Sequence, residues 1–207
     1  MTAQSEIGPF ASAAAAFARL VREIPETAWD GPGLGGWDLR SLVGHTSIAL
    51  SSVGAYLKAP AEREDVASAA DYYALVHKFA SSAEATTGNE EAGRRAATEL
   101  GLDPAGAVES LVEHALSDLA GEEDQLIKVA GGVGIRLSSY VPTRTFELAV
   151  HSLDIARAAC VPFTLPGDAL SDVTALAAQV AVLNGQGEEV LMSLTGRAPL
   201  PPSFSIL

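Results

Sequence analysis

Apolar side chains recur at three- and four-residue steps along most of this chain, and that spacing restricts it to packed helices. Phe10, Ala13, Ala14, Phe17, Leu20, Val21 and Ile24 keep the step until Pro25, which predicts a helix over 10–24. Leu39, Leu42, Val43, Ile48, Leu50, Val53 and Tyr56 keep it again behind Asp38, a residue suited to cap the helix they form, to about Lys58. Asp103 and Pro104 open a third such run through Val108, Leu111, Val112, Ala115 and Leu119, which we expect to last until the glycines at 131–134. Pro142 is expected to open a fourth, through about Ala159, and further helices follow over 168–184 and 188–194. Between them, 66–100 is weakly amphipathic and reads as an exposed helical insertion with breaks at Gly88-Asn89 and Gly93, while 135–141 allows one short strand pair. No strand–helix–strand alternation is present, so the fold class is all-α: a four-helix bundle with extra helices, one domain over 1–207, with 60–100 as insertion and 161–207 as a C-terminal extension packed on the bundle.

Composition narrows the partners. A chain that is 48% hydrophobic and 19% charged can bury a core, and 13 Lys plus Arg against 26 Asp plus Glu leave a net charge of −13. Phosphate backbones and anionic membrane surfaces would repel it, so nucleic acid and membrane are excluded as expected partners. The longest uncharged stretch, 41–57, is broken by Gly44, His45 and several hydroxyl residues, so no transmembrane helix is expected. A single cysteine and no basic residue before Arg19 point to a cytoplasmic protein.

Arg144, Glu147, His151 and Asp154 fall within an arc of about 80° when placed on a helix at about 100° per residue. Glu147 and His151 are an i, i+4 pair that can converge on one ion, although such pairs also decorate solvated helix faces. His45 follows the core-facing step of Leu42, Ala49 and Ser52 and is expected to point inward. A lone inward histidine is usually a satisfied core residue. Facing an inward Glu-x-x-x-His on another helix, it completes a two-imidazole, one-carboxylate set that suits a divalent transition metal, zinc or non-haem iron, with open positions. Asp154 and Arg144 are candidates to orient those ligands or bind an anionic cofactor or substrate. Cys160, half a turn out of phase with His151, reads as a packed thiol; His77 and His114 read as rim or surface, and Glu122-Glu123-Asp124 as a solvated helix end. No side chain is assigned a catalytic role.

The segments Gly-Trp-Asp-Leu-Arg-Ser-Leu-Val-Gly-His at 36–45 and Arg-Thr-Phe-Glu-Leu-Ala-Val-His-Ser-Leu-Asp at 144–154 resemble the two signatures of the mycothiol-dependent maleylpyruvate isomerase N-terminal domain family, within the DinB-like metal-binding bundles. The tail at 194–201 resembles endings of actinobacterial relatives, in keeping with ten Arg to three Lys. The resemblance implies a DinB-like four-helix bundle in which His45, Glu147 and His151 match the metal triad, zinc being the expected ion, with mycothiol as cosubstrate. The expected activity is a metal-dependent transferase or isomerase joining a small-molecule thiol to an electrophile. The competing reading is a non-catalytic bundle that binds metal or a small molecule for sensing, storage or protein contacts. A homodimer is left open.

Overall fold

Two of the bundle helices begin where an aspartate satisfies an early backbone donor. In the computed structural model, which describes residues 3–80 and 83–206, Asp38 accepts the Ser41 N–H at 2.7 Å and so starts α2 (Leu39–Leu57). Asp103 accepts the Gly106 N–H at 3.1 Å and Pro104 sits in the first turn of α5 (Pro104–Leu119). With α1 (Ala3–Glu23) and α6 (Leu137–Ala159) these form a four-helix bundle, α1 and α2 each packing against both α5 and α6. Phe10 and Phe17 of α1, Leu42 and Leu50 of α2, Leu119 of α5 and Tyr140 and Leu148 of α6 are fully buried between them. Burying side chains of this size contributes about 1.5–3 kcal/mol each, which accounts for the cohesion of the bundle. No helix among the described residues is long and apolar enough to cross a membrane.

The expected run from Asp103 to the 131–134 glycines stops short. Ala120 leaves the helical region and Gly121 adopts φ 81°, which ends α5. The chain then forms β1 (Leu126–Lys128), which pairs antiparallel with β2 (Gly134–Arg136) with Ile127 opposite Ile135. The glycine cluster is therefore the hairpin turn, with Gly131 and Gly132 at φ 73° and 77°. Extended structure covers 134–136, not 135–141, and Pro142 lies inside α6 instead of opening it. Asp124 explains the earlier start, since its carboxylate accepts both the Ser138 N–H at 2.8 Å and the Ser138 hydroxyl at 2.9 Å. The acidic run read as a solvated helix end thus supplies the clamp for the helix that carries the site.

The stretch at 66–100 contains α3 (Ala69–Ala80) and α4 (Ala83–Glu99). Gly88 and Gly93 break neither; α4 runs through both and lies along α2. A Cβ on Gly93 would stand 3.0 Å from Trp37 Nε1, 3.1 Å from Ser41 O and 3.2 Å from His45 Cβ, and one on Gly44 would collide with the Ala97 backbone. These two glycines let the helix axes approach closely, with α4 pressed behind His45. On the opposite flank α7 (Gly167–Leu183) packs against α1, α3 and α6, and α8 (Gly187–Leu194) packs on α7. Tyr73, Phe146, Leu165, Val173, Leu176 and Val180 form a second buried cluster there, which seats α3 against α6.

Candidate metal centre

His45 projects from the middle of α2, and Glu147 and His151 project from successive turns of α6. One ligand-type atom from each lies within 4.8 Å of the others, so the three could hold a metal ion. His151 Nε2 is 3.4 Å from Glu147 Oε2, and His151 Nδ1 is 3.3 Å from Asp154 Oδ2, so Asp154 steadies one ring nitrogen while the other faces Glu147. The His45 and His151 rings meet edge to face at 5.1 Å between centroids. The side chains of His151 and Glu147 are 16% and 23% exposed, which leaves the cluster reachable from solvent.

Charges in the cluster are unequal. Burial, and then the nearby His151, push His45 down to about 4, so its imidazole is neutral at pH 7. Burial acts on His151 in the same sense, but contacts with Asp154 and Glu147 outweigh it and hold His151 up at about 9. Glu147 is opposed by burial yet drawn down to about 2 by His151, the Arg144 charge and the Tyr73 hydroxyl. Without a metal the site is thus a carboxylate, an imidazolium and a neutral imidazole.

Three neighbours were not evident in the sequence. Trp37 stacks on His45 with centroids 4.5 Å apart and planes 30° from parallel, while its Nε1 donates to Glu90 O of α4 at 3.3 Å. From α3, the Tyr73 hydroxyl donates to Glu147 Oε1 at 2.7 Å and lies 3.0 Å from Thr143 O. Tyr140 supports Arg144, whose guanidinium carbon sits 4.9 Å above its ring. Arg144 also donates through Nε to Thr143 Oγ1 at 3.1 Å and makes no ion pair with a carboxylate among the described residues. Trp37 lies within the segment quoted above; Tyr73 and Tyr140 carry no local signal, since each reaches the site through tertiary packing.

The remaining candidates lie outside this cluster. His114 is exposed, its Nδ1 2.7 Å from Ser110 O. His77 is half-buried on α3. Cys160 is exposed at the C-cap of α6 with φ 54°, so it is not the packed thiol expected, because the helix ends there and turns its side chain outward.

A family model described as the mycothiol maleylpyruvate isomerase N-terminal domain matches residues 10–156, more than half of the chain. The chain belongs to that family. Maleylpyruvate isomerase N-terminal domains usually have the DinB-like fold, and the bundle of α1, α2, α5 and α6 has that architecture. The match spans every residue of the His45–Glu147–His151 cluster and stops before α7 and α8. No curated protein and no solved structure matches the chain.

Proposed function

We propose that the protein is a metal-dependent enzyme that uses a small thiol, mycothiol, to transfer or isomerise a small electrophile. The observation that carries this reading is the convergence of His45, Glu147 and His151 in a chain of the mycothiol maleylpyruvate isomerase N-terminal domain family. The donor set fits a divalent transition ion, zinc being the one proposed, because two imidazoles and one carboxylate leave positions for other ligands. A second support is Nδ1 of His45, buried with no hydrogen-bond partner among the described residues. Buried imidazole nitrogens are ordinarily paired; Nδ1 of His77 is unpaired too, but of the two rings it is His45 that stands beside Glu147 and His151.

In this reading His45, Glu147 and His151 hold the ion, and Asp154 keeps the His151 ring turned so that Nε2 faces it. Such an ion supplies Lewis acidity that lowers the pKa of a coordinated thiol. Arg144, whose charge is felt by Glu147 but which makes no direct carboxylate contact among the described residues, is placed to bind an anionic group of the substrate or cofactor. Loading requires His151 to release its proton.

Purified protein should contain about one divalent ion per chain, as three convergent ligands describe a mononuclear site. His45→Ala/His151→Ala should lose it, and Cys160→Ser should keep it. Cobalt-substituted protein should develop a sulfur-to-metal charge-transfer band with mycothiol, and turnover of an electrophile panel should collapse on chelation. Metal binding with neither the band nor turnover would leave a non-catalytic binding bundle. Equal metal content in wild type and double variant would refute the site.

A further inference from the structure

Glu147 presents its two oxygens to different neighbours. Oε1 accepts the Tyr73 hydroxyl at 2.7 Å, while Oε2 lies 3.4 Å from His151 Nε2, on the side of the two histidines. The two oxygens of a glutamate carboxylate are equivalent and its terminal torsion is broad, so nothing intrinsic to the side chain fixes the angle at which the carboxylate plane faces the cluster. His151 meets one oxygen from within α6, and the hydrogen bond that holds the other comes from outside it, from Tyr73. Tyr73 is 3% exposed, its ring packed 5.0 Å from Phe146 and 5.8 Å from Tyr72. The cluster that holds the ring includes Val173, Leu176 and Val180 of α7, so Tyr73 is fixed by two helices outside the bundle.

Resting on the metal-binding reading above, we infer that Tyr73 is a positioning residue whose hydroxyl engages Oε1 of Glu147 and turns Oε2 toward a cation shared with His45 and His151. A phenol carries its proton at neutral pH, so the Tyr73 hydroxyl is a donor to the carboxylate. Partners that orient a ligating side chain typically matter 10–100-fold for affinity. Two helices of the bundle, α2 and α6, carry the three ligands, and α3 and α7, which lie outside the bundle, aim one of them.

Tyr73→Phe removes a single oxygen and leaves the ring to pack, and Tyr72→Phe on the same helix is the control. Cobalt affinity and the visible spectrum at saturating cobalt would be measured for wild type, both tyrosine variants and Glu147→Gln, with circular dichroism to check the fold. Expected for Tyr73→Phe is an affinity loss of roughly 10–100-fold with altered d–d bands at saturation, and for Tyr72→Phe neither. A Tyr73→Phe protein with wild-type bands at saturation overturns the positioning role, even if it melts lower, because a purely structural tyrosine would leave the coordination unchanged. Should wild type and Glu147→Gln bind cobalt equally, the metal reading falls, and the role of Tyr73 falls with it.

Discussion

Metal-free protein should be most stable near pH 6.5 and lose stability on both sides of it, because the two histidines of one cluster are shifted in opposite directions. His45 sits at about 4 in the folded state against 6.5 unfolded. Between those values the unfolded chain takes up a proton on His45 that the folded one refuses, so stability falls as pH drops from 6.5 toward 4. His151 sits at about 9, and its contribution is fully present below 6.5 and lost as pH rises through 9. Each shift of about 2.5 units corresponds to about 3 kcal/mol at 1.36 kcal/mol per unit. For a domain of this size that is on the order of 10 °C in melting temperature per arm. Glu147, drawn down to about 2 from 4.5, loses its contribution only below 4.5 and leaves the window between 6.5 and 9 untouched. Thermal melts of chelator-treated protein across this range measure the profile. His151→Gln should remove the alkaline arm and shrink the acid one, since the imidazolium is the second cause of the low value at His45. His45→Gln should remove the acid arm alone. A profile that is level from 4 to 9, or variants that leave both arms intact, would refute the charge assignment of the cluster.

Asp154→Asn should weaken zinc binding by roughly 10–100-fold in competition with a chromophoric chelator, since it removes the carboxylate facing His151 Nδ1; unchanged affinity would mean the contact does not orient the ring. Gly44→Ala should cost about 1–3 kcal/mol in chemical denaturation, the usual penalty for overpacking, because the added methyl meets the Ala97 backbone. Gly88→Ala, on the same helix pair but with nothing within 4 Å, should instead stabilise by about 0.4–1 kcal/mol, and equal losses at the two positions would show that close approach is not what glycine provides at Gly44.

Features carried by local periodicity were legible in the sequence. The three-four step located α1, α2 and α5, Asp38 and Asp103 marked two starts, and the arc of about 80° placed Glu147, His151 and Asp154 on one side of α6. Glycine and proline were misjudged where their role is tertiary. Gly93 looks like a helix breaker, yet it sits mid-helix because Trp37 and His45 press against it. Pro142 looks like a first-turn proline, but α6 begins at Leu137 because Asp124, fourteen positions before Ser138, clamps its first turn. Tyr73 was invisible for the same reason, lying 74 positions from Glu147 in the chain. A single sequence has no periodicity to record such contacts.

His45 and His151 lie about a hundred residues apart in sequence, with α3, α4, α5 and the hairpin threaded between them. In the denatured chain the two imidazoles meet only after a long loop closes, at an entropic cost that the bundle has already met in the native state. A cation would therefore discriminate strongly between folded and unfolded chains, and its binding energy would appear as conformational stability. By mass action, an ion at a hundred times its dissociation constant would add about 2.7 kcal/mol to the folded state. Cells short of such an ion would then hold a less stable protein, linking the abundance of the chain to the supply of the ion.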